Sequence, residues 1–533
     1  MKAIVGYTGF VGSNLQQFYK FNYFYNSKNF FEAKNKSFDT IFFCGVPAVK
    51  WYANKHPEED YNTIENIKSI LDCVEAKKVI LISTIDVYEN VTIGENEDYK
   101  INCNENHTYG KNRFLFEEYI KNRFNNYNIV RLPALFGKGL KKNIIYDLIH
   151  NNNVNDIPLN SSFQWYYLDW LKKDIDLILK HDIKVCNLFT EPIHTKEIIK
   201  IFNEVYNIDY KFQLEYLGNE ESMRKYNLCT KYNNYFNCNK KYILENDKVI
   251  EGIKEYLLFE KLDKSKLCVS NICVNQVPQI QFASLLKLFG IKNIQIAPTK
   301  LIKSWNNLEN LDLSIYKTLD LNVYSFQSIT YTLNHLNIFD KSTNNDIYKH
   351  LINVIDCAEK NNVKVLVFGC PRNRKVIDKK SDNNKTFIDF FKKIGNYLEN
   401  KDLKICLENN SKEYNCNFIN TIEECSYLVR KINKNNIKMM VDLGNAVMEN
   451  DSWYYLKKHM DIIYNIDVSH KFMKDFSEIH ESNEIFNFIL KNNNYDKIIN
   501  LEMLIKKDDE LNVLYKSLMN FIKIYSIVNT KKL

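Results

Sequence analysis

Eight short apolar runs recur along the second half of the chain, at 267–272, 291–297, 323–327, 363–368, 403–407, 439–441, 462–468 and 498–501. Amphipathic, helix-patterned segments separate them, most clearly 347–361 and 387–398, with 514–527 after the last. Each run is too short to be a helix and is rich in Val, Ile, Leu and Phe, as expected of a parallel strand buried on both faces. Eight strand–helix units over about 265 residues have the length and rhythm of a closed (β/α)8 TIM barrel. That prediction places a barrel domain at 263–533 and its chemistry at the C-terminal ends of the strands.

Acidic residues fall where four of those runs end. They lie in Leu407-Glu408-Asn409-Asn410, Val441-Asp442-Leu443-Gly444-Asn445, Asn465-Ile466-Asp467-Val468-Ser469-His470 and Leu501-Glu502-Met503. A single acid at such a place caps the next helix. Four on consecutive strands point instead to a common pocket. Carboxylates that converge repel one another unless a cation neutralises them, and a hard divalent metal is the natural occupant.

The first half begins differently. Lys2-Ala3-Ile4-Val5-Gly6-Tyr7-Thr8-Gly9-Phe10-Val11-Gly12-Ser13 is an apolar run that turns through three glycines into helical sequence. Gly6 suits a tight turn, Gly9 a close approach to a pyrophosphate, and Gly12 close helix–strand packing. Phe10, Val11 and the strand-end Cys44 would line the same place. Further apolar runs at 21–25, 39–45 and 78–84, with a helix near 64–75, predict a Rossmann-type, doubly wound parallel sheet in an N-terminal domain of 1–262. After the second run stands Asn26-Ser27-Lys28 and no acid, so Lys28 could meet a 2′-phosphate, which favours NADP over NAD.

Two family resemblances emerge from these motifs. Ser83-Thr84-Ile85-Asp86-Val87-Tyr88, Tyr109-Gly110-Lys111-Asn112-Arg113 and Arg131-Leu132-Pro133-Ala134-Leu135-Phe136-Gly137 follow the glycine turn in order. Over about residues 1–205 they resemble the extended short-chain dehydrogenases/reductases, which include nucleotide-sugar epimerases, dehydratases and reductases. The resemblance implies that Thr84 hydrogen-bonds the reacting oxygen and that Tyr109 is the proton-exchanging phenol beside a nicotinamide. It also implies a lysine four residues after the tyrosine, where this chain has Arg113. A phenol titrates near pH 10 and needs a cation to work near neutrality; arginine carries the charge but cannot shed a proton. Arg113 therefore leaves two readings open, an NAD(P)-linked oxidoreductase and a dinucleotide-binding sensor or scaffold without turnover. Ile85-Asp86 supplies only half of the acidic pair that the dehydratases carry, which disfavours a 4,6-dehydratase.

From about 265 to 528 the chain resembles the xylose-isomerase-like sugar phosphate isomerases/epimerases, supported by Ser325-Phe326-Gln327-Ser328 and Val367-Phe368-Gly369-Cys370-Pro371-Arg372-Asn373-Arg374. By position the resemblance implies metal ligands at Glu408, Asp442 and Glu502. The fourth ligand, a histidine in the family, is Asp467 here, and an all-carboxylate shell favours Mg or Mn over Zn. Glu408 or Glu502 would move the C–H proton of a hydroxy-carbonyl substrate, and Arg372 and Arg374 could hold a phosphate or carboxylate. DNA-repair relatives of this barrel need many histidines. The whole chain has 10, only five of them in this half, and of those only His470 lies at a strand end.

Composition sets the remaining limits. The net charge of +7 is spread through an Asn- and Lys-rich chain without a basic tail, so no nucleic-acid footprint is expected. No apolar run approaches the roughly 18 residues that span a bilayer. The 13 cysteines include no C-x-x-C pair, which suits a reducing cytoplasm. Together these features predict a cytoplasmic, bifunctional enzyme acting on a small-molecule carbohydrate, and supplying an unusual sugar for a surface glycan fits them. One half would perform NAD(P)-linked redox and the other metal-dependent isomerisation or epimerisation. No nucleic acid or membrane partner is expected, and a homo-oligomer is compatible with this reading.

Overall fold

The computed structural model describes residues 1–528 except 93, 209–222, 379, 381 and 493. It divides into two compact units, Met1–Leu262 and Asp263–Val528.

The first unit is built on six parallel strands: β1 Lys2–Val5, β2 Tyr23–Tyr25, β3 Thr40–Phe43, β4 Val79–Thr84, β5 Tyr127–Leu132 and β6 Val185–Asn187. Their order across the sheet is β6-β5-β4-β3-β1-β2. In the dinucleotide fold the first strand is flanked by the second and fourth, with the third outermost; here it is flanked by the second and third. The expected doubly wound Rossmann sheet is thus present only as a parallel α/β sheet of order 2-1-3-4-5-6. The physical reason lies between Tyr25 and Thr40. That link holds a single 3-10 turn, Phe30–Ala33, and the two-residue strand Ser37–Phe38, which pairs outside the main sheet. It is too short for a further strand–helix unit. On one sheet face, helices α3 Pro57–Leu71 and α4 Thr108–Arg123 bury Ile64, Leu71, Phe116 and Ile120 against Val5, Phe43, Val79 and Leu81. Fully burying such side chains is worth about 1.5–3 kcal/mol each.

A further helix of the first unit spans Asn246–Glu260. It packs Val249, Ile253, Tyr256 and Leu257 against Phe136, Trp165, Tyr167 and Ile198. The aromatic run at 163–167 is therefore mostly core.

The second unit is a closed eight-stranded parallel barrel: β7 Leu267–Ser270, β8 Asn293–Ile296, β9 Asn322–Phe326, β10 Val365–Phe368, β11 Lys404–Glu408, β12 Ile437–Asp442, β13 Ile463–Val468 and β14 Ile498–Leu501. Leu267 pairs with Ile499 and closes the ring. All eight predicted strands are present, and the helices Asn344–Lys360, Asn383–Tyr397 and Glu510–Tyr525 cover the predicted amphipathic segments. Within the barrel, Val365, Val367, Cys406 and Met440 form an apolar cluster. Two residues further along β11 and β12, on the same strand face, stand Glu408 and Asp442. The barrel interior thus passes from an apolar layer to an acidic one near the strands' C-terminal ends.

Among the described residues no helix is long and apolar enough to cross a membrane.

Candidate functional site

The barrel brings the four predicted acids to one end. Glu408 ends β11, Asp442 ends β12, Asp467 is the fifth residue of β13, and Glu502 follows β14. Strand register sets Asp442 beside Asp467 and Asp467 beside Asn500. All four side chains are buried.

Burial and mutual repulsion act together on these carboxyls. Removal from water is the first cause of every upward shift. Glu408 and Glu502 are held well above the usual carboxylate range, first by burial and then by the neighbouring acids; Asp442 and Asp467 raise both. Asp467 is pushed up to about 8 by burial and the charge of Asp442. Asp442 reaches only about 6, because burial is opposed by the backbone N–H groups of Asn445 and Gly444 and the hydroxyl of Ser469. Asp442 and Glu502 also share a side-chain hydrogen bond, which raises Glu502 and lowers Asp442.

The surrounding polar groups are specific. Asp442 caps the short helix Leu443–Met448, with Oδ1 accepting from the Asn445 N–H at 2.6 Å. The Ser469 hydroxyl donates to Asp442 at 2.9 Å. Glu408 Oε1 accepts from Asn410 Nδ2 at 2.9 Å and from Asn445 Nδ2 at 3.3 Å. Asp467 is engaged differently. Asn465 Nδ2 donates to it at 2.7 Å, with Asn500 facing it from the neighbouring strand β14 and Gln295 from β8.

All four carboxyls are thus electrostatically linked, and Asp467 is in addition engaged by the amides of Asn465, Asn500 and Gln295. Their chemistry, hard oxygen donors that repel one another when charged, suits a divalent cation of the Mg or Mn type. Among the described residues, no three His, Cys, Asp or Glu side chains are arranged to hold a metal ion.

Of the two loop arginines predicted to grip an anion, Arg372 is exposed and Arg374 is fully buried. Arg374 Nη2 donates to Asn410 Oδ1 at 2.7 Å, and its charge lowers the pKa of Glu408. It belongs to the wall of the site. His470 points to Asn483, with Nε2 3.0 Å from Oδ1, and stacks on Phe476.

In the first unit, the glycine turn forms as expected. Gly6 has φ +87°, and a Cβ there would meet the Cys44 carbonyl; a Cβ at Gly12 would strike the Gly6 carbonyl. The intervening Phe10 and Val11 open the six-residue helix Phe10–Leu15. Lys28 is exposed.

Thr84 ends β4, and Tyr109 is the second residue of α4. The Thr84 hydroxyl reaches the phenol and favours its ionised form, but burial dominates and Tyr109 stands above the ordinary tyrosine pKa. Arg113 does not overturn this. Its guanidinium lies over the Tyr109 ring, 4.2 Å from the centroid, and pairs with Asp60 and the Pro47 carbonyl. Those donors are committed away from the phenolic oxygen. Arg113 thus lowers the phenol's pKa by its charge without outweighing burial, while its hydrogen bonds go to Asp60 and Pro47.

Sequence reasoning missed Asp60, and it missed a second cation. Lys50 pairs with Asp86 at 2.7 Å, close to the Tyr226 hydroxyl. Its pKa is raised: burial works against the charge, and Asp86 and Tyr226 outweigh it. Lys50 and Asp86 both act electrostatically on Tyr109 and on His107. No local signal marked this pair, whose members stand 36 positions apart.

Residues 314–525 match the family model described as xylose isomerase-like TIM barrel. The C-terminal unit is a xylose isomerase-like TIM barrel. Among solved structures, the chain resembles the 3-keto-D-glucoside 4-epimerase of E. coli at 14% identity and a TM-score of 0.41, over 49% of this chain and 99% of that one. It resembles the D-psicose 3-epimerase of Clostridium cellulolyticum at 12% identity and a TM-score of 0.42, over 49% and 100%. An AP endonuclease of family 2 from Brucella melitensis also aligns, at 14% identity and a TM-score of 0.40, over 47% and 97%. No curated protein matches the chain.

Proposed function

We propose that the xylose isomerase-like barrel is a metal-dependent isomerase or epimerase of a small carbohydrate bearing adjacent hydroxyl and carbonyl groups. The observation that supports it is the buried cluster of Glu408, Asp442 and Glu502, each carboxyl held above its ordinary pKa by burial and the first and last also by neighbouring acids. A divalent cation bound by Glu408, Asp442 and Glu502 would supply polarisation of the substrate carbonyl, which makes the neighbouring C–H acidic. The protein's own residues do the rest. Asn410 and Asn445 orient Glu408, and Ser469 and the Asn445 N–H orient Asp442. Glu502, whose protonated form is favoured by burial and by its acidic neighbours, would carry the proton that general acid–base catalysis moves. Burial of the cluster excludes water from the proton it exchanges.

The test is solvent exchange. Purified protein with Mn²⁺ is incubated in D₂O with a panel of ketoses and keto-glycosides, and deuterium is sought at the carbon beside the carbonyl. Incorporation that disappears in Glu502→Gln supports the reading. No incorporation from any member, with the ion bound, refutes it.

A second activity in the first unit, NAD(P)-linked redox of a sugar alcohol or carbonyl, is favoured by the Thr84 hydroxyl reaching the Tyr109 phenol. On that reading Gly6, Gly9, Phe10, Val11, Gly12, Lys28 and Cys44 would line the cofactor, and the two units would act on one carbohydrate pathway in the cytoplasm. Quenching of protein fluorescence by NADPH and NADH tests it directly; titrations without saturable quenching would remove the redox half of the proposal.

A further inference from the structure

Glu408 is handled unlike the other acids of the cluster, and the asymmetry is geometric. One carboxyl oxygen, Oε1, receives two side-chain amides, Asn410 Nδ2 at 2.9 Å and Asn445 Nδ2 at 3.3 Å. An amide can face a carboxylate with either end, and its oxygen end would repel it. The end presented by Asn410 is fixed from behind. Arg374 Nη2 donates to Asn410 Oδ1 at 2.7 Å, so the oxygen must face the guanidinium and the NH₂ must face Glu408. Arg374 is itself fully buried, has no carboxylate partner in an ion pair among the described residues, and also donates to the Phe368 carbonyl at 3.4 Å. Asn445 is similarly constrained, because its Oδ1 accepts from the Ser411 N–H at 3.1 Å.

The other oxygen, Oε2, lies against the backbone that leaves β10. A Cβ built on Gly369 would sit 1.8 Å from Oε2 and 2.8 Å from the carboxyl carbon. Gly369 needs no positive φ, so its lack of a side chain serves space and not backbone conformation.

We infer that Arg374, Asn410 and Gly369 are positioning residues for Glu408: the first two pin Oε1, and the third vacates the volume that Oε2 occupies. Glu408 then presents one oxygen in a fixed place. The inference deepens the proposed barrel function and rests on it only for the identity of what Oε2 meets.

Gly369→Ala is the informative change, because an alanine is allowed at this backbone and only the far end of a side chain must move. Asn410→Ala removes the pin without altering charge. Full-length wild type and both variants are crystallised without metal, and Mn²⁺ binding is followed by electron paramagnetic resonance. The expected result is a Glu408 carboxyl rotated or displaced in both variants. Mn²⁺ affinity should fall at least tenfold while the melting temperature of Gly369→Ala stays within a few degrees of wild type. Arg374→Met should reproduce the Asn410→Ala displacement, and Arg374→Lys, which can still donate to Asn410 Oδ1, should restore part of the affinity. A Glu408 carboxyl unmoved in Gly369→Ala and Asn410→Ala overturns the inference. Wild type that fails to bind Mn²⁺ while the variants do displace Glu408 refutes the metal-dependent function and leaves the positioning intact.

Discussion

Asp442→Asn should stabilise the metal-free barrel at alkaline pH, although Asp442 sits at the centre of the proposed site. The carboxyl rises from its ordinary 3.8 to about 6 on folding, with burial as the cause. A rise of that size corresponds to about 3 kcal/mol of penalty on the charged form. A carboxyl whose pKa is raised by folding keeps its contribution complete below about pH 4 and loses it as the pH rises through about 6. Asparagine has nearly the shape of the protonated acid and still accepts from the Asn445 N–H. In EDTA at pH 8 the variant should therefore melt higher, by up to about 6–12 °C at roughly 2–4 °C per kcal/mol for a domain of this size. At pH 4 the two proteins should melt together. The assay is a thermal melt of the full chain at pH 4, 6 and 8, with and without Mn²⁺. The variant should lose the Mn²⁺-dependent stabilisation that wild type gains, the usual exchange of stability for function at an active site. A variant that melts below wild type at pH 8, or a difference that does not shrink toward pH 4, would refute the reasoning.

Other outcomes are expected. Saturating Mn²⁺ at one hundred times its Kd should stabilise wild type by about 2.7 kcal/mol and release protons on binding, since burial and mutual repulsion favour the protonated carboxyls and the ion favours the charged ones; calorimetry in buffers of different ionisation enthalpy measures the count. Arg113→Ala should cost the first unit about 3–5 kcal/mol by leaving Asp60 buried and unpaired, and Asp60→Asn with Arg113→Ala should recover much of it in denaturant titrations. Lys50→Met should lower the pKa of neither Tyr109 nor Tyr226, because it removes a positive charge beside both phenols; ultraviolet titration of tyrosinate reads this, and a fall in either value would contradict the geometry.

Periodicity carried most of the barrel. Strands such as 463–468 and 498–501 are legible because both faces are buried, so every residue along them is selected for apolar character except the few that end in the site. The acids were legible for the same reason, as charges at the ends of apolar runs. What served those acids was harder to read. Asn410, Asn445 and Gly369 are short, common residue types whose roles depend on which atom faces which, and Arg374 looked like an anion clamp because loop arginines are usually exposed. In the first unit the glycine turn was clear, yet the sheet order was not, because the short link between β2 and β3 hides the absence of a strand–helix unit. Asp60, the residue that diverts Arg113, stands 53 positions before it and carries no local signal.

The amides around Asp467 carry a lesson for redesign. Asn465, Asn500 and Gln295 arrive from three strands and are configured for a carboxyl. An imidazole grafted at 467 to recruit a softer ion would meet donors where it needs an acceptor or empty space. These four positions therefore form one block of inheritance, to be exchanged as a set or left alone.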